Sequence, residues 1–282
     1  MLQIAIPNKG ALSEKTVKLL CDAGYKCKRS GRELQIVDSK NGVQFFFLRP
    51  RDIAVYVNNG ILDLGITGRD LAIDSKADVL ELMPLNIGNS SFFYAIKNDS
   101  GITVDSLQGK RIATSYPNVV QQDLDKRGVK ASTIRLDGAV EISIDLGVAD
   151  MIADVVESGK TLKEAGLHTI GDPVLKSEAV IIARNSEIAE KPEVKTFMNH
   201  VDGILVARKY VMIEYNINKP NIEAACAITP GIESPTISPL SEDGWFAVKA
   251  MVLNKDLNSV IEKLAEINAK GITVVELKTC RI

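Results

Sequence analysis

The chain has 282 residues, 45% of them hydrophobic and 25% charged, and its formal net charge is −2. This length predicts two or three domains, and the charge argues against nucleic acid or a membrane surface as a partner. No apolar run approaches the ~20 residues of a membrane-spanning helix, and the first residues read as a strand, so we expect a cytoplasmic protein. The spacing of the four cysteines indicates neither a zinc site nor a disulfide framework.

The first part of the chain alternates strands and helices. Ser13 is a plausible N-cap for the first helix. The predicted elements are strands at Leu2–Pro7, Val43–Leu48 and Leu62–Ile66 and helices at Leu12–Ala23 and Pro50–Asn58. Such alternation predicts a mostly parallel sheet covered by helices on both faces.

A second α/β unit starts near Phe92. Its predicted strands are Arg111–Thr114, Ser132–Leu136 and Met151–Val156, with helices from Pro117 and from Thr161. The apolar run Ser177–Ala183 then reads as a strand returning to the first unit, and a helix follows over Val194–Arg208. We therefore expect a two-lobed α/β core like that of periplasmic binding proteins. Lobe I is residues 1–90, completed by about 180–208, and lobe II is residues 91–179.

The polar turns of both lobes fall after predicted strands. They are Asn8–Gly10, Arg49–Arg51, Thr67–Asp70, Tyr116 and Asp154–Thr161. Ligands of open α/β sheets bind beyond the carboxyl ends of the strands. A binding site in the cleft between the lobes is therefore predicted.

The segment Asp154–Thr161 leads from a buried strand through a small-residue turn into a helix. Backbone N–H groups at such a junction favour a phosphate. Gly159-Lys160-Thr161 resembles the end of a P-loop, but that motif requires a glycine where Asp154 stands. A phosphate cradle with a carboxylate at its mouth remains, which suits a sugar phosphate.

Residues 209–282 follow a different pattern. Strands and helices alternate in the order βαββαβ, which predicts a ferredoxin-like domain. The segment contains few candidate catalytic groups, so regulation or oligomerisation is the expected role.

Several motifs together resemble the ATP phosphoribosyltransferase family in its long form. They are Pro7–Gly10, Phe46–Pro50, Gly65–Asp70, Ile112–Pro117, Leu136–Ser143, Ala153–Leu162 and, in the tail, Ala227–Ile237. The resemblance covers essentially the whole chain in order. It implies attack by N1 of ATP on C1 of phosphoribosyl pyrophosphate with release of pyrophosphate, the first step of histidine biosynthesis. It also implies Mg²⁺, inhibition by histidine at the C-terminal domain, and homo-oligomers from dimer to hexamer.

The resemblance assigns two groups of residues to the substrates. For phosphoribosyl pyrophosphate they are Asp154, Val155, Val156, Glu157, Ser158, Gly159, Lys160 and Thr161, with Glu141 as a further catalytic candidate. For ATP they are Lys9, Arg49, Arg69, Asp70 and Tyr116. Asp70 could instead cap a helix starting at Leu71, and Tyr116 could simply pack. Mg²⁺ is expected to arrive mainly with the pyrophosphate, with Asp154 as a possible ligand.

For histidine, the matching positions are Asn216, Ser234, Thr236, Met251 and Gly271. Some relatives carry aspartate where Asn216 stands, and an amide lacks the charge that pairs with an ammonium group. Two other functions compete with the transferase. A solute-binding or sensor protein would share the lobes, and a dehydrogenase would need a G-x-G-x-x-G after the first strand, where Asn8-Lys9-Gly10 stands instead.

Overall fold

The computed structural model describes residues 1–98, 100–157 and 159–282. The chain separates into two compact units. Unit 1 comprises Met1–Cys21 and Tyr25–Lys195, and unit 2 comprises Asp22–Gly24 and Thr196–Ile282. Unit 1 contains two sheets, which we call lobe I and lobe II. Within the described residues, no helix combines the length and the apolar character needed to cross a bilayer.

Lobe I begins with alternating strands and helices, as the sequence predicts. Its elements are β1 (Leu2–Pro7), α1 (Gly10–Asp22), β2 (Gln35–Asp38), β3 (Val43–Leu48), α2 (Pro50–Asn58), β4 (Leu64–Gly68), α3 (Arg69–Asp74) and β5 (Leu80–Pro84). Gly65 lets α2 pack closely on β4, because a Cβ there would lie 2.5 Å from Cγ2 of Ile53.

Lobe II follows, and the chain then returns to lobe I. The elements of lobe II are β6 (Ser90–Lys97), β7 (Arg111–Thr114), α4 (Pro117–Arg127), β8 (Ser132–Arg135), β9 (Met151–Val156), α5 (Lys160–Glu164) and β10 (Leu167–Ser177). The returning elements are β11 (Ala179–Ala183), α6 (Ser186–Ala189) and α7 (Pro192–Lys209), the last of which continues into unit 2.

The sheet orders are β2-β3-β1-β4-β11-β5 in lobe I and β10-β6-β9-β7-β8 in lobe II. In lobe I, β1 runs parallel to β3 and β4. In lobe II, β7 runs parallel to β8 and β9. The carboxyl ends of the parallel strands in each lobe therefore share one edge, and the polar turns follow there.

Two crossing segments connect the lobes and pair with each other. The N–H of Leu85 donates to the carbonyl of Ala179 at 2.9 Å, and the N–H of Ala179 donates to that of Ile87 at 2.8 Å. The N–H of Asn86 donates to the Glu178 carboxylate at 2.6 Å. A double crossing of this kind, with an α/β sheet on each side, is the two-lobed architecture of periplasmic binding proteins, which confirms the predicted fold class.

Unit 2 contains a second kind of fold. After α7 come β12 (Tyr210–Asn218), α8 (Ile222–Ile228), β13 (Thr236–Pro239), β14 (Trp245–Leu253), α9 (Leu257–Glu266) and β15 (Lys270–Glu276). They form an antiparallel sheet in the order β13-β14-β12-β15. Alternate residues of β12, including Ile213 and Tyr215, form the core with Ala225 of α8 and Leu264 of α9. This is the predicted ferredoxin-like βαββαβ fold.

Three local predictions need correction. Ser13 is not an N-cap, because α1 already begins at Gly10 and the buried Ser13 hydroxyl donates to the carbonyl of Pro7 at 2.7 Å. The helix expected from Thr161 begins at Lys160 and spans only five residues. The run expected as one strand from Ser177 is divided, since Ser177 ends β10 and β11 starts at Ala179.

Candidate active site

A pocket of about 300 Å³ lies at the carboxyl end of β9 in lobe II. Its lining residues are Glu141, Asp154, Val155, Val156, Glu157, Gly159, Thr161 and Leu162. The structure therefore gathers Glu141 and most of the predicted phosphoribosyl segment around one cavity. Ser158, assigned to the same segment, lies outside the described residues.

Gly159 makes the turn from β9 into α5. Its φ of 71° and ψ of 2° are left-handed, a conformation that costs other L-residues roughly 1–2 kcal/mol. A Cβ at this position would lie 3.8 Å from Cγ1 of Val156, an ordinary van der Waals distance. The first N–H groups of α5 have no acceptor within the helix, and Thr161 lines the pocket. The side chain of Lys160, directly after Gly159, is exposed, and its Nζ lies 3.8 Å from Oε1 of Glu164.

Asp154 places a carboxylate in this pocket. Burial raises the pKa of Asp154 above its usual value, and the negative charges of Glu141 and Asp70 raise it further. The N–H of Val155, which donates to Oδ1 of Asp154 at 2.8 Å, and the charge of Arg51 oppose that rise. A partly desolvated carboxylate among other carboxylates favours a cationic or hydroxyl-bearing ligand.

Glu141 reaches the pocket from a tight 3₁₀ turn over Val140–Ser143. The turn is anchored by buried Val140 and by the Ser143 hydroxyl, which donates to the carbonyl of Val140 at 2.6 Å. Ala139 enters it with a φ of 49°, a left-handed conformation that is uncommon without glycine. Strain of this kind clusters at functional sites.

The matching edge of lobe I carries exposed cationic side chains. Pro7 of β1 pairs with Leu48 of β3, so Lys9 and Arg49 follow neighbouring strand ends, and both are exposed. Arg29, which no sequence motif indicated, joins them. Its guanidinium donates to the carbonyl of Asn8 at 2.5 Å and lies 4.3 Å from the centroid of the Phe47 ring. This edge is electropositive, as a polyphosphate requires.

Asp70 and Tyr116 lie together where the lobes meet. Asp70 is buried, and its Oδ1 accepts from the Ser177 hydroxyl at 2.7 Å. Burial, followed by the charge of the same carboxylate, raises the pKa of the Tyr116 phenol. Helix α3 begins at Arg69 with Gly68 as its N-cap, so Asp70 is the second residue of the helix. The Asp70 carboxylate is therefore engaged across the lobes instead of capping a helix at Leu71.

Arg69 lies beside the crossing segments and lines a second cavity, of about 380 Å³, together with Val156 and Glu157, which also line the first pocket. Its Nε and Nη2 donate to the two carboxylate oxygens of Glu81 at 2.9 and 2.7 Å, and Nη2 lies 3.6 Å from Glu178. The Glu81 hydrogen bond is the main cause that raises the pKa of Arg69. A phosphate would have to compete with these two carboxylates for the guanidinium.

Arg51 and Ser177 are two further residues that the sequence analysis did not assign. Arg51 belongs to the polar turn Arg49–Arg51, but the motif that carries the resemblance ends at Pro50 and includes only Arg49. In the structure the Arg51 guanidinium lies 4.5 Å from the centroid of the Tyr116 ring. Arg51 and Tyr116 are far apart in the chain and belong to different lobes, so no local sequence pattern indicates their contact.

The positions assigned to histidine lie in unit 2. Residues paired across antiparallel strands share a face, and the pairs Asn216–Ala247, Met212–Met251 and Thr236–Lys249 all lie opposite the core. A Cβ at Gly271 would lie 3.7 Å from Nδ2 of Asn216. Ser234 is exposed in the loop before β13. Asn216, Thr236 and Met251 thus share the sheet face away from the helices, and Gly271 adjoins Asn216.

The lobe II pocket fits a metal that arrives with its ligand. Among the residues that the structure describes, no three His, Cys, Asp or Glu side chains are grouped closely enough to hold an ion. Glu141 and Asp154 supply two carboxylates. Mg²⁺ commonly binds through one or two carboxylates plus substrate phosphates and waters, so this donor set is sufficient for a substrate-borne cation.

Comparison with known families and proteins agrees with this geometry. Residues 49–203 match the family model described as "ATP phosphoribosyltransferase", and residues 207–279 match that described as "HisG, C-terminal domain". The chain belongs to the ATP phosphoribosyltransferase family. Family members from Salinibacter ruber and Corynebacterium diphtheriae, both named ATP phosphoribosyltransferase, are 54% and 53% identical to it, and each match covers 100% of both chains.

A solved structure of the family shares the fold of most of the chain. It is the ATP phosphoribosyl transferase (HisG:HisZ) complex from Thermotoga maritima, which matches with a TM-score of 0.63 and 28% identity. The match covers 73% of this chain and 98% of that one.

Proposed function

We propose that this member of the family transfers the phosphoribosyl group of phosphoribosyl pyrophosphate to N1 of ATP, the first step of histidine biosynthesis. The observation that carries the assignment to a site is the lobe II pocket, where Glu141, Asp154 and the segment after β9 meet. In the reaction the bond from C1 of the ribose to pyrophosphate oxygen breaks, its electron pair leaves with pyrophosphate, and a bond from N1 to C1 forms.

The residues suit this chemistry because it needs little proton transfer. N1 of adenine is unprotonated at neutral pH, so no strong base is required to generate the nucleophile. The demanding feature is the positive charge that develops at C1. Carboxylates held in a partly desolvated pocket stabilise such charge, and we assign Asp154 and Glu141 to this role, with Asp154 also contacting the ribose hydroxyls.

The turn after β9 is assigned to the 5′-phosphate of the same substrate. The left-handed Gly159 leads from β9 into α5, whose first N–H groups have no acceptor within the helix and would bind phosphate oxygens. Thr161, which lines the pocket, would supply a hydroxyl. Ser158 and Lys160 belong to the proposed cradle by sequence. Since α5 is short, local N–H groups matter more here than a long helix dipole.

ATP is assigned to the edge of lobe I where the polar turns follow its parallel strands. Lys9 and Arg49 are exposed beside neighbouring strand ends and would bind phosphate oxygens. Arg69 would join them by exchanging its carboxylate partners. Tyr116 and Asp70 would border the adenine, which must place N1 in line with C1 for attack.

Mg²⁺ is the proposed cation. When bound with phosphoribosyl pyrophosphate it would neutralise the leaving group, and Asp154, with Glu141 beside it, would be the protein carboxylate nearest to it. The chain itself orients the ribose and the adenine and excludes water from C1.

Unit 2 is proposed to bind histidine as a feedback inhibitor on the sheet face that carries Asn216, Thr236 and Met251. Gly271 and Ser234 would complete that site. We further propose that the functional divisions are residues 1–90 with about 180–208, 91–179, and 209–282. The enzyme would act in the cytoplasm as a homo-oligomer between dimer and hexamer.

The test is pyrophosphate release by the purified chain given ATP, phosphoribosyl pyrophosphate and Mg²⁺, with each component omitted in turn. The transferase requires all three. A solute-binding protein of the same fold would bind one ligand and release no pyrophosphate, which would refute the proposal.

A further inference from the structure

Helix α3 of lobe I presents two carboxylates to lobe II. Asp70 and Asp74 are four residues apart and therefore lie on the same face of the helix. Asp70 accepts from the hydroxyl of Ser177, the last residue of β10, at 2.7 Å, and its charge acts on the Tyr116 phenol. Asp74 accepts the N–H of Asn118 on Oδ1 at 2.9 Å, and its carbonyl accepts the Asn118 side-chain amide at 2.5 Å. The first turn of α4 is thus tied to α3 at a point separate from the crossing segments.

Arg51, at the start of α2, joins the same group. Its Nη1 donates to Oδ2 of Asp74 at 3.1 Å, while its guanidinium lies against the Tyr116 ring. Phe92 meets that ring from another side in an edge-on contact, with centroids 5.5 Å apart. Tyr116 is therefore held by a cation on its ring and an aromatic edge, and the Asp70 carboxylate is near enough to raise the pKa of its phenol. We call Arg51, Asp70, Asp74, Tyr116 and Asn118 the interlobe cluster.

The cluster also acts on the pocket of lobe II. Arg51 and Asp70 contribute opposite electrostatic effects to the pKa of Asp154, and the same two residues act in opposite senses on the pKa of Tyr116. Arg51 is not among the residues that line the phosphoribosyl pocket. Its direct contacts are with Tyr116 and Asp74, on the side of the cleft that we assign to adenine.

We propose that Arg51 is a positioning residue that orients Tyr116 against the adenine of ATP. The Arg51–Asp74–Asn118 contacts then fix the relative orientation of the two lobes in which N1 reaches C1. The proposal rests on the proposed function. Arg51 meets both requirements because its Nη1 donates to Asp74 while its Cζ lies 4.5 Å from the centroid of the Tyr116 ring. A lysine can keep a cation near the ring, but it lacks the planar fork.

The kinetic test compares Arg51→Met with a matched control, Arg127→Met. Arg51 and Arg127 are each 37% exposed, and each pairs with a largely buried aspartate, Asp74 at 10% and Asp123 at 13%. Arg127 belongs to α4 on lobe II, away from the interlobe cluster. We expect Arg51→Met to raise KM for ATP about 10-fold, the scale of a cation–π contact, with KM for phosphoribosyl pyrophosphate changed less than 3-fold. Arg51→Lys should recover part of the loss, and Arg127→Met should leave both KM values unchanged.

Hydrogen exchange provides a readout that does not depend on catalysis. The N–H of Asn118 is protected by Asp74, so its exchange should accelerate in Arg51→Met and in Asp74→Asn but not in Arg127→Met. If Arg51→Met is poorly folded, Asp74→Asn carries this comparison.

Two results would overturn the proposal: equal rises in both KM values with no rescue by lysine, or Asn118 exchange that matches the Arg127→Met control. If the wild-type chain releases no pyrophosphate, the proposed function fails. In that case the proposed orientation of Tyr116 towards adenine is refuted as well. Hydrogen exchange at Asn118 would still test whether the Arg51–Asp74–Asn118 contacts hold the two lobes together.

Discussion

Asp154 and Glu141 come from different elements, a strand end and a tight turn, yet both line one pocket of lobe II. Burial is the main cause that raises the pKa of Asp154, and the Glu141 carboxylate adds to it. Two like charges near each other weaken the fold, so their proximity indicates a site built for a positively charged partner.

Replacing Asp154 is therefore expected to separate activity from stability. Asp154→Asn should lower turnover about 100-fold or more, because a charge facing C1 is lost, and it should raise Tm at neutral pH. A folded pKa above the unfolded value means that the ionised carboxylate destabilises the fold above that folded pKa. The Tm gain of the variant should therefore shrink as pH falls through the folded pKa towards about 4. Calorimetry over this pH range measures it.

Asp150, one residue before the same strand, provides the opposite control. Its carboxylate pairs with Arg111 at 2.7 Å, and that hydrogen bond lowers the pKa of Asp150. Asp150→Asn should therefore lower Tm at neutral pH, with a deficit that fades as pH falls through the depressed pKa, and it should leave turnover unchanged. Loss of activity in Asp150→Asn comparable to Asp154→Asn would remove the special role of Asp154.

Gly159→Ala tests the phosphate turn. The substitution strains a left-handed residue by about 1 kcal/mol without a steric clash, and it should raise KM for phosphoribosyl pyrophosphate because the N–H groups at the start of α5 shift. Gly128, which ends α4 with a φ of 66° and nothing within 4 Å of its Cβ position, is the matched control. Gly128→Ala should lose similar stability and keep its KM. Unchanged kinetics in Gly159→Ala would count against the cradle.

Arg69 is expected to serve ATP only after leaving its carboxylate partners. Arg69→Met should lower Tm, through loss of the Glu81 and Glu178 contacts, and should raise KM for ATP several-fold. Glu81→Gln weakens the same ion pair but keeps the guanidinium, so KM for ATP should stay the same or fall. A normal KM for ATP in Arg69→Met would show that Arg69 does not bind ATP and that its role is structural, beside the crossing segments.

The inhibitor site can be strengthened as well as removed. Asn216→Asp supplies a charge for the ammonium group of histidine and should lower the half-inhibitory concentration about 10-fold. Gly271→Ala, which adds a methyl 3.7 Å from the Asn216 amide, should raise it. Gly244→Ala, at another left-handed glycine with nothing within 4 Å of its Cβ position, is the control. If neither Asn216→Asp nor Gly271→Ala changes the half-inhibitory concentration of histidine, the inhibitor binds at another site.

The sequence predicted the fold most accurately where apolar runs end at polar turns. The bounds of β1, β3, α2, β7 and β9 agree with those expected from the sequence. The edge strands β2 and β5 were missed because their residues are largely exposed and carry little apolar periodicity. β10 was missed because Gly171 and Pro173 interrupt it and the pairing with β6 shifts register there.

The candidate site, too, could be predicted in one part and not in another. The phosphoribosyl pocket could be predicted because one continuous segment supplies most of its lining. Of the interlobe cluster only Asp70 and Tyr116 could be predicted. The Asp74–Asn118 and Arg51–Tyr116 contacts could not, because they join residues that are far apart in the chain. Lobe packing alone brings them together.

The measurement that tests the central claim most directly is nitrogen NMR of ATP labelled with ¹⁵N at N1, incubated with the chain, phosphoribosyl pyrophosphate and Mg²⁺. Bond formation from N1 to C1 predicts a large shift of the labelled signal, in step with pyrophosphate release, and Asp154→Asn should slow both together. An N1 signal that stays unchanged while pyrophosphate is released, or no release from folded protein, would contradict the account.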